Sequence, residues 1–511
     1  MKQARLLWGT AGVTMLAGAF GLGTWFGAQR EHAHDEWADG RLLSTAIEAV
    51  RANALDSLPS DELIRRAVSG MLRELHDPYA ALLRPDGYQR YRGSLQGEAQ
   101  GLGFTLRRQA GTVSIVRVAS GSPAALAGAR PGDRILSVND VPIELGWGRT
   151  AADTSSAPLE AARLVVWRAP NGDTLRLPIR RGAWHTPAVS DAVMLTDSVA
   201  YVRLASITSK SSSELEDAVE SLRSQGAGSL VLDLRGNAGG LFEEGVKAAG
   251  LFLPRGALVA SLDARRGSPP EEHRNRRSRW PTLPMTVLVD GGTASSAEVI
   301  AAALRDHGRA LLVGAPTYGK GLVQRVVTVT PDISLRLTTA RWLTPKGEAL
   351  ERRQGKGEDA KGGLIPDVLL DDAGRKDAFL LPRDWPAKAA AGVSAVADSA
   401  AMQGLREGWA TAPVSMLEAR LRDAVAKDIP KSVRGEASRA TWLDVGTRLA
   451  TVRLLEFGAA FDDLLRYSVR ADAALRAGLD VVAPGSELAR VTPLQAPAAS
   501  LSPAPRRAGT R

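Results

Sequence analysis

Two short apolar runs, each followed by a turn that contains glycine, constrain the fold of this chain more than any other feature. The runs are Ser229–Leu234 and Met285–Asp290, and neither shows the strict polar–apolar alternation of a half-exposed strand. Such runs are typical of strands that are covered on both faces. Helical patterns flank the first run at Ser211–Ser224 and Gly239–Phe252. We therefore predict an α/β core from about 190 to 372, a sheet with helices packed against it and active groups at the carboxyl ends of its strands.

The residue pattern and composition change several times along the rest of the chain, so the predicted fold class is multi-domain. Residues 40–96 have helical periodicity, and residues 97–182 change to short strands and turns, which predicts an inserted β-rich domain. The core itself opens with a predicted strand at Val199–Leu204. Residues 373–482 are rich in Ala, Arg and Leu and predict a helical C-terminal region, with helices expected at 416–427 and 441–475. Residues 483–511, dominated by Pro and Ala, predict a disordered tail.

The amino-terminal segment predicts export. Leu6–Ala28 is a run of 23 residues without charge, preceded by Lys2 and Arg5. About 20 apolar residues span a bilayer, and basic residues stay on the cytoplasmic side. We expect residues 1–30 to be a single-pass inner-membrane helix with the body of the protein in the periplasm. The alternative is a cleaved signal peptide ending near Phe26–Ala28, which would release the body to the periplasm.

Composition excludes several classes of function. The chain has no Cys, so disulfides, a Cys nucleophile and thiolate metal sites are excluded. Its six His show no paired spacing, so no metal site is expected. The net charge is +9, but the excess is spread thinly. The densest basic run, Arg274–Arg279, lacks interleaved aromatic residues and is interpreted as a solvated loop, so no nucleic-acid partner is expected.

Residues Asp290–Gly308 predict a strand, a tight glycine turn and a helix. The turn places Ser295 at the start of the helix, where unpaired N–H groups and the helix dipole stabilise developing negative charge. The competing interpretation is structural. Ser295 would then be only the helix N-cap, and Glu298 three residues later would complete a capping box.

The next segment, Val313–Gln324, favours the chemical interpretation. Lys320 stands between two glycines and enters an apolar run, Leu322–Val327, which we expect to be a strand, so the lysine is poorly placed to stay solvated. Burial disfavours the ammonium form and lowers the pKa of lysine, which makes it a general base. Residues 320, 322 and 324 would share one face of an extended strand. Gln324 is therefore expected beside the Lys320 amine.

Three blocks in this order resemble the C-terminal processing (tail-specific) peptidases, which are serine endopeptidases with a Ser-Lys dyad. Gly292–Val299 resembles the family motif G-S-A-S-A-S-E-I, and Thr317–Gln324 resembles T-x-G-K-G-x-V-Q. Asp233–Gly240 resembles D-L-R-x-N-x-G-G. Leu337–Pro345 and Gly363–Val368 also match, so the resemblance covers roughly residues 40 to 372.

The resemblance implies a role for each matched residue, with no metal and no cofactor. It makes Ser295 the nucleophile and Lys320 the base, 25 residues apart. It assigns backbone groups of the oxyanion pocket to Gly239, Gly240 and Ser296. It assigns supporting positions to Arg235, Glu298, Thr317 and Asp306. Of these supporting residues, we interpret Asp306 as structural. The motif departs from the family at Thr293, Ser296 and Ala297, and loop insertions are expected at Gly146–Ser156 and Glu358–Gly362. Because Ser295 and Ser296 are adjacent hydroxyls, Ser296 stands as the alternative nucleophile.

The β-rich region resembles a PDZ domain of the bacterial protease type. Gly101, Leu102, Gly103 and Phe104 resemble its carboxylate-binding loop, and the runs Gly121–Ala125 and Gly128–Asn139 follow at the expected distance. Glycines there would let successive N–H groups converge on a chain-terminal carboxylate. The strand that follows would offer an edge to an extended peptide. The implied partners are proteins with free C-termini that end in small apolar residues; an adaptor and an oligomeric assembly stay open.

Three alternatives compete with this interpretation. A Ser-His-Asp triad would need His307, which lies roughly 18 Å from Ser295 along a continuous helix at about 1.5 Å per residue. A catalytically inactive PDZ scaffold of the cell envelope would leave Ser295, Lys320 and Gln324 without a purpose. A retinoid- or tricorn-type relative fits poorly with an anchor and a PDZ domain in this order.

Overall fold

The computed structural model describes residues 40–56, 58–109, 112–143, 160–168, 172–264, 269–351, 362–370, 387–407, 409, 414–433, 435–457 and 472–482. The predicted anchor (1–30), the predicted tail (483–511) and nearly all of the two predicted insertions lie outside these residues. Within them, no helix has both the length and the apolar character needed to cross a membrane. The chain divides into two compact units.

The smaller unit combines the described residues up to Pro85 with Arg325–Thr338. It contains helix α1 (40–53), helix α2 (Ser60–Glu74), strand β1 (Ala81–Leu83) and parts of strands β17 (Leu322–Thr330) and β18 (Ile333–Leu343). Strand β1 pairs antiparallel with β18, with Leu82 opposite Leu335. The Asp77 carboxylate accepts the backbone N–H groups of Tyr79 (2.9 Å) and Thr338 (3.2 Å), which fixes the turn after α2 on β18.

The larger unit is built on a six-stranded sheet in the order β10-β11-β12-β15-β16-β19. Its strands are β10 (Val189–Met194), β11 (Val199–Leu204), β12 (Ser229–Asp233), β15 (Met285–Val289), β16 (Leu311–Gly314) and β19 (Val368–Leu369). From β11 to β19 all neighbours are parallel, and β10 is antiparallel to β11. The carboxyl ends of β12 and β15 therefore lie side by side, as the α/β prediction requires.

Helices cover both faces of this sheet. Helices α5 (Ser211–Ser224), α6 (Phe242–Gly250) and α7 (Ser296–Asp306) share one hydrophobic core with residues of the sheet. Helix α11 (Ala473–Val482) covers the opposite face, where Leu475 and Val481 pack with Val231 and Leu288. A second sheet adds β13 (Leu258–Asp263) and β14 (Glu271–Arg274), with β13 paired to both β14 and β18.

The β-rich domain is a separate antiparallel sheet in the order β3-β4-β5-β7-β8, with β6 paired to β5. Its elements are β3 (Phe104–Gln109), β4 (Thr112–Val118), helix α4 (Pro123–Leu126), β5 (Arg134–Val138), β6 (Val141–Pro142), β7 (Ala161–Arg168) and β8 (Asp173–Arg180). Helix α3 (Pro85–Leu95) and the ladder of β2 (Glu98–Gly101) with β9 (Gly182–His185) flank it in sequence. Ile115, Ile135 and Val166 form the centre of its own core.

In the described part of the C-terminal region, three further helices share a core of their own. They are α8 (Ala387–Arg406), α9 (Val414–Asp428) and α10 (Glu436–Phe457). Leu421 and Leu449 are fully or almost fully buried in that core. The predicted helices over 416–427 and 441–475 correspond to α9 and, within the described residues, to α10 and the start of α11.

Two details of the sequence interpretation are wrong. The run Leu322–Val327 forms a strand, as predicted, but its apolar side chains do not exclude solvent as expected, since no residue of β17 is buried. The basic run Arg274–Arg279 is not a solvated loop throughout. Arg274 ends strand β14, Asn275 is buried, and Arg277 and Arg279 both form ion pairs with Glu216. The charges of Arg277 and Arg279 are therefore compensated by Glu216.

Candidate active site

The turns after β12 and β15 are bound to each other by side chains. The Asp290 Oδ1 atom accepts the backbone N–H groups of Gly292 (2.9 Å) and Gly236 (2.8 Å). Thr293 donates its hydroxyl to the Leu234 carbonyl at 2.9 Å. Because parallel neighbours end at the same edge, these bonds join the two motif blocks into one surface at the carboxyl ends of the strands.

Ser295 occupies a strained backbone conformation between that turn and helix α7. Its φ is +57° and its ψ is −124°, a region that non-glycine residues adopt only when the surroundings impose it. A strained serine between a strand and a helix is the arrangement that presents a nucleophilic hydroxyl at the top of a sheet. Ser295 is half-buried, whereas Ser296 is 2% exposed. The Ser296 hydroxyl has no hydrogen-bond partner among the described residues. Of the two adjacent hydroxyls, the structure therefore makes Ser295 the accessible one.

The carboxylate of Glu298 is fully buried and joins the two candidate catalytic segments. Its Oε2 accepts the backbone N–H of Ser295 at 2.8 Å and that of Lys320 at 2.9 Å. The two backbone nitrogens therefore lie at most 5.7 Å apart, because both contact one oxygen. Its Oε1 accepts the Thr317 hydroxyl at 2.5 Å and the Gly319 N–H at 2.7 Å. Glu298 is thus both the predicted N-cap partner of Ser295 and the acceptor for the loop that carries Lys320.

Lys320 is held from the other side by Trp342. The indole Nε1–H of this buried residue donates to the Lys320 carbonyl at 2.9 Å, and its backbone N–H donates to the Gly321 carbonyl at 2.9 Å. Lys320 itself is half-buried and lies in the turn before β17, not on that strand. Gln324, also half-buried, is the third residue of β17. The strand periodicity predicted for residues 320 to 324 therefore starts only at Leu322.

The glycine turn after β12 approaches Ser295 closely. A Cβ atom on Gly239 would lie 2.8 Å from the Ser295 Cβ and 3.0 Å from the Ser296 nitrogen, so only glycine fits there. Asn237 organises this turn, since its Oδ1 accepts the Gly239 N–H at 2.9 Å and its carbonyl accepts the Ala294 N–H at 2.9 Å. The Gly239 N–H is therefore engaged within the protein. The Ser296 N–H lies at the first residue of α7, where a helix offers it no acceptor.

Arg235 and Asp306 each form ion pairs with other residues. Arg235 forms ion pairs at 2.7 Å with both Asp233 and Asp472. Burial raises the pKa of Asp233, but the Arg235 guanidinium outweighs burial and holds it below the ordinary value. Burial also raises the pKa of Tyr201, which donates its hydroxyl to Asp233 at 2.8 Å.

Asp306 ends helix α7, contacts Arg305 at 2.8 Å and accepts the Lys346 N–H at 3.2 Å. Its carboxylate thus fixes the far end of the helix, as a structural residue would. His307 follows it and contacts the Leu258 carbonyl through Nε2 at 2.7 Å. Because α7 is continuous from Ser296 to Asp306, His307 lies a full helix length from Ser295.

The Gly101–Phe104 segment leads into β3, which lies at one end of the sheet order of the β-rich domain. The Gly103 carbonyl accepts the Ala119 N–H at 2.8 Å, and the Leu102 carbonyl accepts the Ala124 N–H at 2.9 Å. Both carbonyls are thus bonded to the protein, and one edge of β3 is free of any strand partner in the described part of the chain.

Sequence reasoning missed three residues that organise the site. Asn237 belongs to the D-L-R-x-N-x-G-G block, and Trp342 belongs to a later matching segment. The motif match therefore marks both positions, but it does not reveal which groups they contact. Leu364 was also missed: its backbone N–H donates to the Thr317 hydroxyl at 2.7 Å, and the Thr317 N–H donates to its carbonyl at 3.0 Å. Among the described residues, no group of three His, Asp or Glu side chains is arranged to hold a metal ion.

Comparisons with known proteins identify similar domains and relatives. Residues 198–369 match Peptidase family S41, and residues 114–168 match the PDZ domain. The chain is 30% identical over 312 residues to the carboxy-terminal processing protease CtpA of Bacillus subtilis (strain 168), covering 61% of this chain and 66% of that protein. It is 29% identical over 325 residues to a "Probable CtpA-like serine protease" of Staphylococcus aureus (strain COL), covering 63% of each. The chain thus spans slightly less than two thirds of the length of these relatives.

A solved structure, the photosystem II D1 C-terminal processing protease, aligns with a TM-score of 0.40 at 28% identity. The alignment covers 66% of this chain and 88% of that chain.

Proposed function

We propose that this chain is a serine endopeptidase of the C-terminal processing type, because residues 198–369 match Peptidase family S41 and residues 114–168, ahead of them, match the PDZ domain. The observation that carries the proposal is the buried Glu298 carboxylate. One of its oxygens accepts the N–H groups of both Ser295 and Lys320, at 2.8 and 2.9 Å. This bond brings a strained, accessible serine and a half-buried lysine into one site.

In the proposed reaction, the Ser295 hydroxyl oxygen attacks the carbonyl carbon of a peptide bond while the neutral Lys320 amine takes its proton. The carbon–nitrogen bond then breaks, Lys320 passes the proton to the leaving amine, and an acyl ester is left on Ser295. Lys320 next takes a proton from water while the water oxygen attacks the ester carbonyl carbon. The bond between that carbon and the Ser295 oxygen then breaks, and Lys320 returns the proton to the serine oxygen. Gln324 is proposed to orient the lysine amine.

The oxyanion of the tetrahedral intermediate is proposed to bind at the start of α7. The Ser296 N–H and the positive end of the helix dipole favour negative charge there. The Gly240 backbone, on the turn that faces Ser295, is proposed as the second element of this pocket. Gly239 would contribute by shape, since its missing Cβ leaves the space beside Ser295 open.

Substrate capture is proposed to occur at the PDZ domain. The Gly101–Phe104 segment would bind a chain-terminal carboxylate, and the substrate would add as a strand to the free edge of β3. The proposed substrates are extracytoplasmic proteins with free C-termini. The uncharged run Leu6–Ala28 supports a body exported across the inner membrane, through an anchor or a cleaved signal. Fractionation of cells followed by protease protection tests that location.

The test of the function is cleavage of an unstructured polypeptide with a small apolar C-terminus. We expect cleavage by the wild-type protein, and a loss of about 1000-fold or more in Ser295→Ala and Lys320→Ala. Ser296→Ala is the matched control and should keep the Ser295 reaction within about tenfold of wild type. Cleavage by Ser295→Ala at the wild-type rate would exclude the dyad. A wild-type protein that binds the substrate but never cleaves it would indicate a PDZ scaffold.

Capture by the PDZ domain is tested separately. The same polypeptide with an amidated C-terminus lacks the carboxylate, so its kcat/KM should fall. A short activated ester does not need the PDZ domain. It should therefore react at the same rate whether its C-terminus is a free carboxylate or an amide. Equal kcat/KM for the free and amidated polypeptides would contradict capture through the carboxylate.

A further inference from the structure

Asp472, which lies beyond the family match, contacts the turn that faces Ser295 through Arg235. Its Oδ2 accepts the Arg235 Nη1–H at 2.7 Å. Its Oδ1 accepts the backbone N–H groups of Ala474 (2.9 Å) and Leu475 (3.0 Å), so it also caps helix α11. One carboxylate thus joins the start of a C-terminal helix to the D-L-R-x-N-x-G-G block.

The position of Asp472 is fixed by the burial of α11. Leu475 is 1% exposed and packs with Val231 and Leu288 on the back of the central sheet. Gly478 also lies on this face, since a Cβ there would be 2.9 Å from the Leu288 Cδ2. Helix α11 is therefore docked on the strands whose carboxyl ends carry the site, and Asp472 projects from it toward Arg235.

Arg235 transmits this contact to the turn. Its guanidinium lies between Asp233 and Asp472, and its carbonyl accepts the Arg203 Nη2–H at 3.5 Å. The next residue, Gly236, donates its N–H to Asp290 at 2.8 Å, which ties the turn to the segment before Ser295. A displaced Arg235 would therefore displace the residues that lead to Gly239 and Gly240.

We propose that Asp472 is a positioning residue for the proposed peptidase reaction: through Arg235 it holds the 234–240 turn against the nucleophile. The proposal rests on the proposed function and extends it to a part of the chain outside residues 198–369. Asp472 touches neither substrate nor reacting atoms. It acts on the rate of the chemical step and not on substrate capture.

The test compares Asp472→Asn with Asp480→Asn in the full chain. Asparagine caps a helix as well as aspartate does, so the first variant removes the charge but keeps the cap. Asp480 is exposed on the same helix and serves as the matched control. We expect kcat for the polypeptide to fall about tenfold in Asp472→Asn with KM within about twofold of wild type, since a small misplacement of the site costs rate. Asp472→Glu, which keeps the charge, should recover part of the loss.

A second measurement does not depend on cleavage. Amide hydrogen exchange over residues 234–240 should be faster in Asp472→Asn than in Asp480→Asn, because the turn has lost a charged anchor. If kcat and exchange in Asp472→Asn equal those of Asp480→Asn, the proposal is overturned. If the wild-type protein cleaves nothing, the proposed function fails, and the exchange comparison still decides whether Asp472 holds the turn.

Discussion

At the scale of single residues, Glu298 shows how one carboxylate serves several segments at once. It accepts hydrogen bonds from Ser295, Thr317, Gly319 and Lys320 while fully buried. A buried carboxylate is stable only when its lone pairs are satisfied, and here the donors come from two separate segments of chain. The residue that caps α7 therefore also sets the distance between the proposed nucleophile and base.

Glu298→Gln should damage both folding and catalysis. Glutamine keeps one acceptor oxygen and presents an NH2 group to the remaining donors, so two of four donors lose their acceptor. Each unsatisfied buried donor costs about 1–3 kcal/mol, which predicts a loss of about 2–6 kcal/mol in the free energy of unfolding. We expect cleavage to fall at least about 100-fold, because the Lys320 loop shifts.

Urea unfolding and steady-state cleavage measure these two effects. Glu348→Gln is the matched control, since this glutamate is 56% exposed and pairs with Arg305 at the surface. It should behave as wild type. A Glu298→Gln protein with wild-type stability and rate would show that the shared carboxylate does not organise the site.

Asp233 predicts how stability depends on pH. Burial opposes its charge, but Arg235 lowers the pKa of the folded carboxyl below the ordinary value. A lowered folded pKa contributes stability that is complete above the unfolded pKa of about 3.9 and is lost as pH falls through the folded value. The stability difference between wild type and Asp233→Asn should therefore shrink as pH falls below about 4. Unfolding in urea from pH 2 to 7 measures it; a pH-independent difference would contradict the ion pair.

At the scale of elements, the turn between β12 and α6 depends on a glycine that nothing else can replace. Gly240 has a φ of +156°, and a Cβ there would fall inside contact distance of the Ile207 carbonyl oxygen. Gly240→Ala should therefore displace the turn and abolish cleavage. Gly256→Ala is the matched control, because its φ is +84° and a Cβ would meet nothing within 4 Å. It should lose only about 1–3 kcal/mol of stability from backbone strain and keep its activity. Equal effects of the two substitutions on cleavage would contradict a role for the turn.

The elements of the core could largely be predicted from the sequence. Strand β11 and helix α5 have the predicted bounds, and β12 and β15 end one residue earlier than predicted. Their patterns are complete within one segment, so local reasoning suffices. Strand β17 is present where the sequence predicts a strand, but its exposure to solvent could not be predicted in the same way. Its residues are apolar, but burial depends on what packs against them, and the described chain pairs β17 only with β18.

The same limit applies to the candidate site. The motif blocks identify Ser295 and Lys320, and the spacing between the blocks links the two residues to one site. Both signals are local in sequence, so they can be recognised without a structure. Trp342 and Asn237 could not be recognised as organisers, since their contacts join segments 20 to 60 residues apart. Likewise, only coordinates show that the Gly239 N–H already has an acceptor in Asn237. Hydrogen-bond partners across a fold carry no periodicity that a single sequence reveals.

At the scale of the whole molecule, separate hydrophobic cores predict separate unfolding events. Ile135 belongs to the core of the β-rich domain, and Leu449 to that of α8, α9 and α10. Each is at most 1% exposed, so replacement by alanine should cost its own core about 2–5 kcal/mol. A calorimetric scan should show more than one transition, and each substitution should lower a different one. If both substitutions shift one common transition equally, the cores unfold as a single unit.

The backbone of Ser295 has a consequence for the lifetime of the molecule. A residue held at a φ of +57° keeps about 1–3 kcal/mol of strain, a noticeable share of a total stability of about 5–15 kcal/mol. Glycine adopts such angles without that strain. A Ser295→Gly chain should therefore survive digestion by thermolysin longer than the wild-type chain. The backbone geometry of the proposed nucleophile would then shorten the survival of the folded chain.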